Sequence, residues 1–168
     1  NPAGRVVRPL PPQGLSIALL RYQPNADYGI PWRNVQGAVA AGDRLLLTYS
    51  LDEGQKKEKG RPRFLTIVAI DDRGRVHWLR PAVKKAGRHK SPPVAVPARG
   101  AKVPRQMRAP AGIERLVIYA VVTDAPRALV SIQTALLEAF ERPDFATTPP
   151  ILNVDRSLQF HRVLDVLR

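Results

Sequence analysis

Apolar and polar positions along the chain fall into short β-type runs divided by turn residues. The clearest spans Phe64–Leu79. Uninterrupted apolar or β-branched residues run from Phe64 to Ile70, then come Asp71, Asp72, Arg73 and Gly74, then Val76, His77, Trp78 and Leu79. Two such runs around a polar turn with a glycine predict an antiparallel hairpin, with Gly74 in the left-handed conformation that closes a bulged loop. Upstream, Gly14–Tyr22 puts Leu15, Ile17 and Leu19 on one face of a first strand, and Arg44–Leu51 reads as a second. Between them, Gln23–Gly42 carries Pro24, Gly29, Pro31 and Gly37 and reads mostly as loop, with Trp32 as a packing anchor. The polar stretch Asp52–Pro62 is expected as an exposed hairpin loop.

Downstream, Val94–Val96 and Ala101–Met107 are expected as short edge strands, because Pro97 and Pro104 cannot donate to a central ladder. Ile113–Thr123 is apolar on both faces, which predicts a central strand between two covering layers. Asp124 then reads as a helix N-cap with Pro126 in the first turn. Leu129, Ile132, Leu136 and Phe140 recur at helical spacing over about four turns. Arg142–Asp155 is a proline-bearing connection. Ser157–Leu167 closes the chain as a strand with Leu158, Phe160, Leu164 and Val166 on one face.

Many strands, one helix and one final strand show no β-α-β alternation, which argues against a doubly wound sheet. The expectation is a mainly β fold: an immunoglobulin-like antiparallel β-sandwich formed by residues 14–168, behind a Pro-rich linker at 1–13. The single amphipathic helix near the C-terminus is expected to cap one edge or end. Val68, Trp78, Leu116 and Ile118 are expected together inside the sandwich.

Composition narrows the class. The apolar fraction of 44% in 168 residues fits a globular core, and seventeen prolines favour turns and edges over long helices. Without cysteine there is neither a disulfide framework nor a thiolate zinc site. No apolar run reaches the ~18 residues of a spanning helix. The chain starts at Asn1 with a Pro-rich lead, and is expected to be a mature or excised portion of a longer product.

Charge changes the picture more. The net charge is +13, and between Asp72 and Glu114 there is no acidic residue. That gap holds Arg73, Arg75, Arg80, Lys84, Lys85, Arg88, Lys90, Arg99, Lys102, Arg105 and Arg108. Two readings stay open: a solvated loop in an Arg-rich protein, or a contact for an acidic partner. If the second holds, the candidate partner-binding residues are Lys84, Lys85, Arg88, Lys90, Arg99, Lys102 and Arg105.

Candidate chemistry is sparse. There is no G-x-S-x-G, H-E-x-x-H, G-x-x-x-x-G-K or G-x-G-x-x-G. His77, His89 and His161 are dispersed, and no metal site or cofactor is expected. Ser157, His161 and Asp165 share one strand face, but residues four apart on a strand lie ~13 Å apart, too far for a hydrogen-bonded relay. Asp71 and Asp72, beside Arg73 and Arg75, read as turn residues rather than an acid/base pair. No catalytic residue is expected.

One resemblance emerges from these segments. AGDRLLLTYS, FLTIVAIDDRGRVHWLRP, SPPVAVP and MRAPAGIERLVIYAVVTDAP resemble a bacterial domain family of unknown function. That family occurs beside caspase-like peptidases and kinases and in membrane-anchored regulatory proteins of myxobacteria-like genomes. Gly42, Asp43, Asp71, Gly74, Trp78, Pro81, Pro110, Gly112 and Pro126 carry the similarity, which covers Ala41–Arg168; GQKKEKGRPR and KKAGRHKSPP depart from it. The resemblance implies no catalytic residue. It implies a non-catalytic protein-interaction or sensory domain, the periplasmic or extracytoplasmic part of a membrane-anchored regulatory or envelope-associated protein. The partner is then a protein of an envelope or regulatory assembly. The alternative is a polyanion-binding module for nucleic acid, lipopolysaccharide or an acidic glycan, working through the basic loop.

Overall fold

The computed structural model describes residues 14–24, 29, 31–52 and 61–168. The expected linker at 1–13 and most of the loop at 52–62 lie outside the described residues. The hairpin forms where its pattern placed it, as β5 (Arg63–Asp71) and β6 (Val76–Arg80), with Gly74 at φ 78°. The other long strands also follow the apolar runs: β1 (Leu15–Tyr22), β4 (Arg44–Leu51), β10 (Arg115–Thr123) and β11 (Ser157–Leu167).

Five shorter strands complete the described set. Two of them, β2 (Trp32–Asn34) and β3 (Val39–Ala40), lie in the stretch read as loop. Neither has the length or alternation to declare itself; each is recruited by a neighbour. Arg33 aligns with Arg21 of β1, and Val39 pairs in parallel with Val166 of β11. The proline-rich region contributes β7 (Pro93–Val94), β8 (Ala98–Lys102) and β9 (Met107–Arg108), so Pro104 separates two strands instead of sitting within one.

The strands form two sheets. One runs β2-β1-β4-β8, with β9 also on β4; the other runs β3-β11-β10-β5-β6, with β7 also on β5. They face each other across a core of alternating residues, among them Leu15, Leu19, Leu47, Ile67, Leu116 and Ile118. Trp32 anchors the first sheet's edge, its ring 5.3 Å from Tyr22 in an edge-on contact.

The helix α1 (Leu129–Phe140) corrects the expected position. It covers the outer face of the second sheet rather than an edge or end. Leu129, Ile132, Ala135, Leu136 and Ala139 pack there with Val68, Val117, Tyr119 and Val121. The cause is β10, whose two apolar faces both need cover: Leu116, Ile118 and Ala120 turn to the core between the sheets, and Val117, Tyr119 and Val121 turn to the helix.

The same parity separates the four expected core residues. Leu116 and Ile118 lie between the sheets, whereas Val68 and Trp78 lie under the helix. Tyr119, not Ile118, aligns with Val68. In the hairpin, Ile67 aligns with Arg80 and Val68 with Trp78, which leaves Leu79 as an extra residue. Trp78, in register with Val68, packs in the helix-side core, and Leu79 packs in the core between the sheets.

The helix also begins later than Asp124. Its N-cap is Ala128, in extended conformation and without a side-chain cap. The preceding residues are engaged by the end of the basic loop. The Arg127 N–H donates to Ser91 Oγ at 2.8 Å, the Ser91 N–H to Arg127 O at 2.8 Å and the Leu129 N–H to His89 O at 2.9 Å. These bonds hold residues 127 and 128 extended, and the His89 carbonyl satisfies a helix N–H that a capping side chain would otherwise take.

Candidate functional site

The basic stretch is less uniform in space than in sequence. Arg80 is structural: its guanidinium donates to the carbonyls of Leu65 and Pro93 and lies 5.6 Å from the Tyr49 ring centre. Arg75 is tied to Asp71 by Nε–Oδ2 at 2.8 Å. Lys84, Lys85, Arg88 and Lys90 are exposed on the segment after β6, which is no free loop, because Ala86 is buried and His89 and Ser91 are bonded to the start of α1. Arg99 and Lys102 are exposed on β8, and Arg105 on its connection to β9.

Of these seven candidates the fold brings two, Lys84 and Arg105, onto one groove of about 410 Å³. Arg108 of β9 joins them there, its Nη1 3.4 Å from Gly42 O. β6 lines it from Val76 to Leu79, together with Val83, which packs against the helix-side core, and Met107, which packs against the core between the sheets. Among the described residues no carboxylate and no hydroxyl lines the groove. Three cations in a cleft with low-dielectric walls focus a positive potential that attracts anionic groups. Arg108 was visible in the acid-free stretch, but nothing in the sequence distinguished it from its neighbours. Lys85, Arg88, Lys90, Arg99 and Lys102 do not line this groove.

His77 also faces the groove, and it brings a partner that six residues of separation concealed. The hairpin turn folds the Asp71 carboxylate back along β6, so Asp71 Oδ2 lies 3.0 Å from His77 Nε2. Asp71 is buried, and its Oδ1 accepts from the N–H groups of Arg73 at 2.9 Å and Arg75 at 3.0 Å. Burial alone would raise this carboxyl, but the bonds with His77, the two amides and the Arg75 guanidinium outweigh it and hold it below the usual carboxylate range. Chemically the unit orients an imidazole at the groove wall. Asp72 has a separate duty, with its Oδ2 accepting from the Glu114 N–H at 2.9 Å.

Ser157, His161 and Asp165 are spread along β11 and serve different neighbours. Ser157 Oγ donates to Val154 O at 2.7 Å, and Asp165 Oδ1 accepts from Arg115 Nε at 3.1 Å. The His161 ring is 5.7 Å from Tyr119, and partial burial there lowers its pKa. Burial pushes the Tyr119 phenol up, and its hydroxyl donates to Pro150 O at 2.8 Å.

A second, smaller cavity of about 150 Å³ opens between the hairpin turn and the end of α1, lined by Ile70, Val117, Phe140 and Phe145 with Arg115 and Arg142 at its rim. Both arginines are already paired, with Asp165 and Asp144 respectively. Among the described residues no group of three His, Asp or Glu side chains is placed to hold a metal. No helix among them is long and apolar enough to cross a membrane. No family model, curated protein or solved structure matches the chain.

Proposed function

We propose that this chain is a non-catalytic interaction domain that docks an acidic protein partner in the groove beside β6. The observation that carries the reading is the convergence of Lys84, Arg105 and Arg108 on one groove with no lining carboxylate among the described residues. Uncompensated positive charge in a cleft speeds encounter with an acidic surface and selects against a basic one. Among the described residues the groove also has no lining hydroxyl to serve as a nucleophile beside His77. An extracytoplasmic place in a membrane-anchored regulatory or envelope-associated protein belongs to the same reading and rests on the family resemblance. So does an immunoglobulin-like arrangement, supported by two sheets packed face to face through alternating residues.

A second reading, a polyanion-binding module, is favoured by one observation: Lys85, Arg88, Lys90, Arg99 and Lys102 extend the exposed positive charge beyond the groove. The two separate on a pair of variants, Lys84→Glu/Arg105→Glu/Arg108→Glu and Lys85→Glu/Arg88→Glu/Lys90→Glu. The probes are polyglutamate, duplex DNA and heparin, at low and high salt. Groove docking predicts that the first variant loses polyglutamate binding while the second retains it. Equal losses in both variants, with a steep linear fall of log affinity against log salt on DNA, favour the polyanion module. Polyglutamate binding unaffected by the first variant overturns groove docking.

A further inference from the structure

We infer that the groove takes its partner as an added β-strand: an extended acidic peptide segment that pairs with the free edge of β6. This rests on the reading of the groove as a docking site and specifies how it docks.

The first argument is topological. β6 ends the order of the second sheet, and among the described residues no strand pairs with its far edge. The Arg75 carbonyl accepts from the Asp71 N–H, so His77, which aligns with Ala69, also turns its backbone groups toward β5. By the alternation of an antiparallel ladder, the N–H and C=O of Val76 and Trp78 then point away from the sheet. Those are the groups an incoming strand needs, and both residues line the groove. The Leu79 bulge interrupts the ladder just beyond them and limits the usable edge to this stretch.

The second argument is chemical. Successive side chains of an added strand would point to alternate faces of the sheet. On one face they meet Met107, which packs against the sandwich core, with Arg105 and Arg108 beside it. On the other they meet Val83, which packs against the helix-side core, with Lys84 next in sequence. Each face therefore offers an apolar contact and a cation, which suits a segment mixing aliphatic and carboxylate side chains. Nucleic acid would use the charge but leave the backbone edge and the apolar contacts unused. Strand addition uses all three, with main-chain bonds supplying affinity and alternate side chains supplying specificity.

The test uses a peptide of repeated Glu-Glu-Val-Val, which gives each face of a strand both carboxylate and aliphatic side chains, and the same peptide N-methylated at alternate residues in each of the two registers. Binding of the unmodified peptide should slow amide exchange at Val76 and Trp78. One N-methylated register should bind weaker by roughly tenfold or more, since each lost main-chain hydrogen bond removes about 1 kcal/mol. The Lys84→Glu/Arg105→Glu/Arg108→Glu variant should lose binding of every peptide. Peptide binding that depends on these cations yet is indifferent to both methylation patterns overturns strand addition and leaves acidic docking standing. No binding of the peptide, or of polyglutamate, overturns both. Duplex DNA displacing the peptide at equal charge overturns the choice of a peptide as occupant.

Discussion

Asp71 Oδ2 and His77 Nε2 lie 3.0 Å apart at the mouth of the hairpin, one side chain buried and the other on the groove wall. The carboxylate holds the turn through two amides and a guanidinium, and the same carboxylate fixes the imidazole that lines the groove. Fold and candidate site thus share one ionised group.

That sharing makes the hairpin acid-sensitive. The folded pKa of Asp71 lies below its unfolded value near 3.8, so its contribution is complete above that value and is lost as pH falls through the folded pKa. Asp71→Asn should destabilise the protein by about 2–4 kcal/mol at neutral pH, because the amide cannot accept from both Arg75 and His77. The acid limb of a denaturation-against-pH profile should flatten in the variant. A limb of unchanged steepness would assign acid sensitivity to other carboxylates.

Ile118 is fully buried between the sheets on a strand flanked by β5 and β11. Ile118→Asp should prevent folding, since an unpaired buried carboxylate costs several kcal/mol, comparable with a domain's whole stability. Ile118→Val should fold and melt cooperatively with a loss of about 1 kcal/mol. Circular dichroism melts of both variants check this, and a cooperative melt of the aspartate variant would contradict the central position.

Gly74 combines a positive φ with a close neighbour. A Cβ there would sit 3.1 Å from Phe140 Cε1 at the end of α1. Gly74→Ala should cost about 1–2 kcal/mol for the left-handed backbone alone. Chemical denaturation measures it, and a neutral result would mean that the turn has an alternative conformation.

The strands were legible because each long one carries its own apolar run. The hairpin, β4, β10 and β11 needed no tertiary information. The two apolar faces of β10 implied two covering layers, yet the helix was expected at an edge or end instead of on the outer face, and its start was not legible either, because the competing partners of residues 127–129 come from His89 and Ser91, almost forty residues upstream. The split of Val68 and Trp78 from Ile118 depended on the relative register of β5, β6 and β10, which is not written in any single strand. Of the groove, Lys84 and Arg105 were readable as charge, but which cations converge is fixed by the edge between β6 and β9. The Asp71–His77 pair was missed for a nearer cause: in a list of dispersed histidines, a hairpin that folds one residue onto another leaves no spacing signature.

The parallel pairing of Val39 with Val166 sets an order of assembly. A chain made from its N-terminus can form the hairpin as soon as β6 emerges, but β3 has no partner until β11 has been synthesised. Until then one flank of β10 also stays open, because β11 is its neighbour there. Such distant pairings are slow to find, and unpaired strand edges invite association with other chains. The nascent protein is therefore most vulnerable during the interval between β10 and β11, while α1 and the connection behind it are being made. The helix can cover one face of β10 in that interval, while the strand's flank toward β11 waits for its partner.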